Sequence, residues 1–341
     1  MLKLNKEIKG LLYLSLQAHN VYGIIYTKKD WRYREMIGKN SQKKKISKMK
    51  LRKEIDSWVL MLPMVIVLYL IVWRPTVMSM IWSFFKMKAY TPQNFVGLDN
   101  YVKVLSHTLF VPTLINTVWY VIWSLVIGFL PPLIIAIALN EMIRFKNFFR
   151  IVAYIPAVIP GIAAMLIWKY IYYPDQTGLL NMCLGKLGLE SFGWLQNPHF
   201  TIIGIVVYKT WKGFAGAVLL YYAALQGTST ELYEAAVIDG AGPWKRAWHV
   251  TRPSIEGLLL LNLVRQIISV FQTMDEPLAM TGGGPNNASN TLSFQLYQYG
   301  FNSGGNATGQ AMALGVIIFL ILIVFTCFYF ILNKKIENRY N

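Results

Sequence analysis

Charged residues are scarce in this sequence, and their scarcity excludes most classes of soluble protein. Only 14% of its 341 residues are Asp, Glu, Lys or Arg, whereas 55% are hydrophobic. Soluble domains typically carry about 25% charged residues. This composition predicts a protein that crosses a membrane several times.

Cysteines, histidines and catalytic motifs are also few. Cys183 and Cys327 lie far apart, and the four histidines are scattered. This pattern indicates neither a disulfide framework nor a metal site. The chain has no G-x-x-x-x-G-K-[ST] phosphate loop, no HExxH and no GxSxG motif. We therefore expect this chain to bind no cofactor of its own and to be no enzyme.

Positive charge is concentrated at the N terminus. Residues 1–53 hold fifteen Lys and Arg against three acids, a net charge of +12 out of +17 for the chain. A basic block directly before an apolar segment orients the chain and attracts anionic lipid, so we expect membrane lipid and no nucleic acid as its partner. We predict a basic cytoplasmic extension over 1–56, with an interfacial helix at 11–26. Alternatively, the native start lies downstream, at Met36 or Met49.

Six apolar segments are each long enough to cross ~30 Å of hydrocarbon. Their internal prolines predict kinks. The N-terminal arm, the 140–150 loop and the C-terminal tail are basic, whereas the 280–310 loop has no charged residue. Six crossings put the three basic regions on one side, which predicts that both termini are cytoplasmic. The predicted transmembrane domain, 57–338, is an all-α polytopic bundle with helices at 57–83, 113–139, 148–173, 200–224, 254–279 and 311–333.

The longest polar segment between two apolar segments is residues 228–253, which this topology places in the cytoplasm. Its sequence predicts two short helices joined by a turn. Thr228 or Thr230 would cap the first helix, Gly240 would end it, and Pro243 would open the second. A short amphipathic helix that faces the cytoplasm is suited to a groove in another protein. An ordinary solvated loop is the alternative.

Polar side chains recur inside the predicted spans. Five of them on the fifth span fall at offsets 0, 3, 7, 10 and 14, which is one stripe of a continuous helix. An unpaired arginine near a bilayer centre costs about 2.5–3.5 kcal/mol, so Arg265 needs a partner or a wet cavity. The alternative to a solute passage is a set of salt bridges that only hold the bundle together. The predicted passage is lined by Asn262, Arg265, Ser269, Gln272 and Glu276, with Lys209, Trp211 and Lys212 of the fourth span.

The polar segment carries a recognisable spacing. Glu234-Ala235-Ala236, followed by Gly240 and Pro253, resembles the EAA loop of type I ATP-binding-cassette importer permeases. The resemblance covers roughly residues 55–335. The segment departs from the pattern at positions 250 and 252, where Val and Arg stand in place of the commoner Ile and Leu.

A second motif indicates one branch of this family. The stretch from Met280 to Pro285, MTGGGP, is similar to one in the carbohydrate branch of that family, the maltose-type permeases. Asp275, Asn116-Thr117 and the stretches at 95–101 and 178–181 are similar to that branch as well.

This resemblance implies a division of labour. The chain would be a permease subunit with the type I importer fold in the bacterial cell membrane, and ATP and Mg would bind a separate ATPase dimer. A second, homologous permease would complete the pore, and an extracytoplasmic binding protein would deliver a sugar or oligosaccharide. The residues implied to couple to the ATPase are Glu234, Ala235, Ala236, Asp239, Gly240 and Pro253.

Three other interpretations remain at this point. One is a permease of the same class for an amino acid, phosphate or peptide, which the TGGGP stretch disfavours. Another is a secondary transporter that uses Arg265 and Glu276 as an ion-coupled pair, which predicts uptake driven by an ion gradient. The third is a membrane scaffold without a transport role.

Overall fold

The computed structural model describes residues 48–142 and 146–340. The interfacial helix predicted at 11–26, and most of the basic extension, lie outside these residues. The chain divides into two units, Met1–Arg74 and Pro75–Asn341. The first unit contains α1 (Lys48–Leu68) and a π-helical turn (Tyr69–Trp73), and α2 (Arg74–Trp82) begins at its last residue.

Among its described residues, the second unit contains helices and one two-stranded hairpin. Four π-helical turns interrupt the described helices, at Ser124–Phe129, Ala247–Thr251, Pro277–Thr281 and Gln298–Asn302. Its elements are β1 (Phe85–Lys88), β2 (Thr91–Phe95), α3 (Asp99–Leu105), α4 (Phe110–Trp123), α5 (Leu130–Glu141), α6 (Lys146–Val158), α7 (Gly161–Ile171), α8 (Leu179–Lys186), α9 (Pro198–Gln226), α10 (Thr230–Ile238), α11 (Pro243–Arg246), α12 (Arg252–Ser254), α13 (Glu256–Phe271), α14 (Leu292–Tyr297) and α15 (Thr308–Tyr340).

The described residues contain four helices that are long and apolar enough to cross a membrane, or up to six if each of two bent pairs is one span. The four are Glu54–Trp82, Phe110–Glu141, Pro198–Gln226 and Thr308–Asn338. The expectation of a polytopic helical protein is therefore confirmed in its coarse form. The description all-α is wrong in one place, because β1 and β2 form an antiparallel hairpin. The buried Asn100 amide holds this region by donating to Phe85 O at 2.9 Å.

The third predicted span, 148–173, is broken in the region where its prolines predict a kink. Its two halves, Phe148–Val158 and Gly161–Ile171, are bent by 99° at a break that precedes Pro160. Carbonyl groups at the end of α6 lose their helical partners at this break. The Lys212 ammonium of α9 replaces the lost N–H donors, because it donates to Pro156 O at 2.9 Å and to Ile159 O. A cation at a helix C terminus is also favoured by the helix dipole.

The fifth predicted span, 254–279, is wrong as a continuous helix. The helical segment Pro243–Ser254 meets Glu256–Phe271 at 80°, and α13 ends at Phe271. Beyond this end, backbone carbonyls no longer accept from helical N–H groups, and two hydroxyl groups from further along the chain donate to them instead. Ser293 donates to Phe271 O, and Thr291 donates to Thr273 O at 2.5 Å. Gln272 is therefore the C-cap of α13, and Glu276 falls beyond the break.

Helix α9 lies at the centre of the packing. Asn197 caps it by accepting from His199 N at 2.9 Å, and Pro198 occupies its first turn. Ile205 and Tyr208 are buried in one apolar cluster with α7 and α4, and Val218 and Leu225 are buried in another with α5. A third apolar cluster joins α13, α14 and α15.

Candidate coupling helix and solute cavity

Helix α10 begins and ends through local hydrogen bonds. Its N-cap is Ser229, whose hydroxyl accepts from Glu231 N at 3.2 Å, so the expectation of a threonine cap is wrong. At its end, Ala241 N donates to Ala236 O at 2.9 Å and Gly240 N donates to Val237 O at 3.0 Å. Gly240 has a φ of +73°, which completes a Schellman motif. The predicted role of Gly240 as the end of the helix is confirmed.

The surface of α10 is apolar and acidic. Ile238 is 86% exposed, and Trp244, on the following turn, is 81% exposed. Glu234 and Asp239 are exposed as well. A cleft of about 870 Å³ separates one side of α10 from the ends of α5 and α9, and it is lined by Glu234, Tyr233 and Ile238 among others. Such a large exposed apolar surface on a short helix indicates a contact with another protein.

One ion pair ties this segment to the end of α5. The Arg246 Nη2 atom lies 2.5 Å from Glu141 Oε2, and Arg246 Nη1 donates to Ala241 O at 3.1 Å. The two charged side chains are only 15% and 29% exposed. Tyr233 and Thr251 share a further hydrogen bond of 2.9 Å within the segment. The orientation of α10 is therefore fixed by side chains that do not belong to the predicted coupling set.

The left-handed residue at the end of α10 leads to a first prediction. We expect Gly240→Ala to lower the free energy of unfolding by about 1 kcal/mol, because alanine is strained at a positive φ. Open space surrounds the position, so backbone strain and not a clash causes the loss. The melting temperature of the purified protein in detergent measures it. Gly242→Ala is the matched control, since Gly242 has equally open surroundings but a φ of −66°. Equal melting temperatures for the two variants would contradict this assignment.

A cavity of about 440 Å³ lies between α9, α13 and the turn that precedes α5. The structure brings three of the predicted pathway residues to it, Asn262, Arg265 and Ser269. The sequence interpretation missed a fourth, Gln266, although its spacing of four from Asn262 puts both on one helix face. The remaining lining residues are Gly128, Phe129, Gly213, Gly216, Ala217, Leu220 and Tyr221.

The other predicted pathway residues do not line this cavity. Lys209 contacts three groups near the end of α13: its Nζ atom lies 2.5 Å from Thr273 Oγ1, 3.2 Å from Ser269 O and 3.8 Å from Glu276 Oε1. Trp211 packs on Trp168, with ring centroids 5.5 Å apart. Lys212 occupies the α6 break described above, and Gln272 is exposed at the end of α13.

Two motifs that are distant in sequence meet beyond α13. The Asn116 amide donates to Asn287 O at 2.8 Å and to Asn290 O at 3.2 Å, and Thr117 Oγ1 accepts from Leu292 N at 3.2 Å. The buried Tyr120 hydroxyl donates to Ser289 O at 3.2 Å. The segment after the TGGGP stretch is thereby fixed against α4. Sequence reasoning did not identify Tyr120, although it lies one helical turn from Asn116.

Within the part of the chain that the structure describes, no group of three His, Cys, Asp or Glu side chains is placed to hold a metal ion. Residues 128–338, which include α10 and every residue that lines the cavity, match the family of binding-protein-dependent transport system inner membrane components. The chain belongs to this family. It is thus a membrane component of a transport system and not an enzyme.

Individual relatives of this transport component cover most of its length. The arabinooligosaccharides transport system permease protein AraP of Bacillus subtilis is 34% identical over 68% of this chain and 74% of its own. The trehalose/maltose transport system permease protein MalF of Thermococcus litoralis is 31% identical over 83% of this chain and 95% of its own. A chain in the crystal structure of a bacterial transporter that imports the acidic polysaccharide alginate superimposes with a TM-score of 0.75 over 84% of this chain and 98% of its own, at 21% identity. The last similarity shows the fold.

Proposed function

We propose that this chain is a permease subunit of an ATP-binding-cassette importer for a sugar or oligosaccharide. The names of the relatives support the cargo class, since they describe permeases for arabinooligosaccharides and for trehalose and maltose. A second alginate transporter structure was solved with a periplasmic protein that carries the pentasaccharide, which supports delivery by an extracytoplasmic binding protein. The observation that carries the proposal is the exposed helix α10.

Helix α10 is the coupling helix of this proposal. Glu234, Ala235 and Asp239 are exposed on it, and Gly240 ends it. A separate ATPase dimer, which binds ATP and Mg, receives the helix in a groove. Its closure displaces α10 and moves the bundle between inward-facing and outward-facing states as a rigid body. Pro253, the last residue of the coupling set, lies on α12, just before the 80° bend.

The proposed topology has six spans in the bacterial cytoplasmic membrane, with both termini in the cytoplasm. It counts each bent pair as one crossing. The test is cysteine labelling of intact cells in a background in which Cys183 and Cys327 are replaced by serine. We expect a membrane-impermeant maleimide to label Asn287→Cys in intact cells, and Ser229→Cys only after permeabilisation. Labelling of Ser229→Cys in intact cells would overturn the orientation.

A second permease completes the translocation pathway in this proposal. One observation supports it. Arg265, on the wall of the cavity, is exposed, which leaves one side of a solute passage for another subunit to close.

The proposed function is tested by transport in reconstituted vesicles. This chain, its partner permease and its ATPase are placed in proteoliposomes that enclose ATP and Mg. Labelled arabinotriose or maltotriose is added outside together with the cognate binding protein. We expect accumulation that needs enclosed ATP and persists when ionophores collapse all ion gradients. Accumulation that follows an ion gradient without ATP would instead indicate a secondary transporter.

A further inference from the structure

The cavity beside α13 has an excess of hydrogen-bond donors. Asn262 and Arg265 lie about one turn apart on α13, and both line the cavity. The Asn262 Nδ2 atom is buried and has no hydrogen-bond partner among the described residues. A guanidinium brings five further N–H donors and no acceptor. Ordinary helix contacts therefore leave these two neighbouring groups without the acceptors that they require.

No carboxylate of the described residues compensates this charge at the cavity. The lining residues include no Asp and no Glu. Two partly buried carboxylates among the described residues have cationic partners elsewhere: Glu276 lies 3.8 Å from Lys209, and Glu141 lies 2.5 Å from Arg246. Lys209 and Lys212 are held by protein oxygens. Among the described residues that line the cavity, Arg265 is therefore the cation that faces open space.

The remaining wall of the cavity suits a sugar ring. Phe129 and Tyr221 lie there edge to face, with ring centroids 6.1 Å apart, and Tyr221 is buried. Gly213 and Gly216 leave open space on α9, because a Cβ atom at either position would meet nothing within 4 Å. The volume of about 440 Å³ falls within the range of about 300–1,000 Å³ that is usual for small-molecule sites. The site thus combines aromatic and apolar faces with donors at one edge.

We propose that this cavity binds the carboxylate of an acidic saccharide, with Arg265 as the anion-binding residue and Asn262 as a second donor. A carboxylate accepts two parallel bonds from a guanidinium, and such bidentate pairs are stronger and more directional than bonds to a neutral hydroxyl. The inference rests on the proposed function, since it assigns a subclass to the cargo: oligosaccharides that contain uronic acid.

The experiment compares trigalacturonate with its methyl ester, in which each carboxylate is replaced by an uncharged methyl ester. The purified transporter assembly is titrated with each probe, without binding protein, and the shift in melting temperature gives an apparent Kd. We expect trigalacturonate to bind at least tenfold more tightly than the ester. Arg265→Gln should weaken trigalacturonate far more than the ester and so remove most of this difference, and Arg265→Lys should keep part of it. Lys186→Gln, which removes a charge on α8 away from the cavity, should change neither Kd.

Equal binding of the two probes by the unmodified assembly would overturn the inference, and this comparison does not depend on any variant folding. The inference also fails if Arg265→Gln weakens both probes equally, or if the partner permease supplies a carboxylate to Arg265. The proposed function has a separate readout. If vesicles show no ATP-dependent uptake of any saccharide, that function fails, whatever the ratio of the two constants.

Discussion

Glu234→Lys is expected to abolish ATP-driven uptake while the permease still inserts into the membrane and folds. Glu234 is exposed on α10 and lines the cleft beside this helix. The resemblance to EAA loops implies a basic partner on the ATPase, so a lysine would replace an attraction by a repulsion. Losing one partner of a charge pair that is buried and hydrogen-bonded in an interface costs about 2–5 kcal/mol. We therefore expect the affinity for the ATPase to fall at least about 30-fold, since 1.4 kcal/mol is tenfold.

The measurement has three parts: uptake in proteoliposomes, co-purification of the ATPase, and the melting temperature of the permease. Glu231→Lys is the matched control, because it makes the same charge change on the same helix at an exposed position that does not line the cleft. We expect it to retain uptake and ATPase binding. If Glu234→Lys kept full ATP-dependent uptake, or if both variants lost it equally, the coupling assignment would be wrong.

The end of α10 could be predicted because it depends on local chemistry. Gly240 can adopt a positive φ at little cost, and Pro243 can begin a helix at little cost, so short-range rules identify both. The cap was harder. Three consecutive residues at 228–230 can each accept a hydrogen bond, and spacing alone did not select Ser229.

The size of the bend in the third span and the end of the helix in the fifth span could not be predicted, because distant residues stabilise them. Prolines near 158 predict a kink, yet a bend of 99° requires new donors for the freed carbonyls, and the donor is Lys212, more than fifty residues away. No proline or glycine near Phe271 ends α13. It depends on Ser293 and Thr291, which reach back about twenty residues.

The polar stripe of the fifth span illustrates the consequence for the site. Helical periodicity correctly grouped Asn262, Arg265 and Ser269, which lie within α13 and line one cavity. The same periodicity failed for Glu276, because the helix had already ended. Glu276 contacts Lys209 of α9 instead. Sequence patterns were reliable only as far as the helix continued, and the tertiary contacts determined where it ended.

Arg246→Glu is expected to uncouple transport from ATP hydrolysis, because Arg246 joins the coupling segment to the bundle. Its guanidinium contacts Glu141 at the end of α5 and Ala241 O after α10. In the proposed mechanism, these bonds would pass a displacement of α10 to α5. Exposed ion pairs contribute about 0.2–1 kcal/mol, whereas breaking a buried pair costs about 3–5 kcal/mol. This pair is partly buried, so we expect its loss to lower the free energy of unfolding by about 1–3 kcal/mol. In the variant, the glutamate at position 246 would repel Glu141, and the segment after α10 would separate from α5.

The ratio of uptake to ATP hydrolysis separates this role from a simple loss of stability. We expect the ratio to fall at least tenfold in Arg246→Glu, because the ATPase still binds α10 but its movement no longer reaches α5. The charge swap, Glu141→Arg with Arg246→Glu, should restore most of the ratio, since it rebuilds the pair in the opposite order. Lys245→Glu makes the same charge change at an exposed neighbour and should leave the ratio unchanged. If the swap stayed as impaired as the single variant, the connection between α10 and the membrane helices would have to run through other contacts, such as the Tyr233–Thr251 bond.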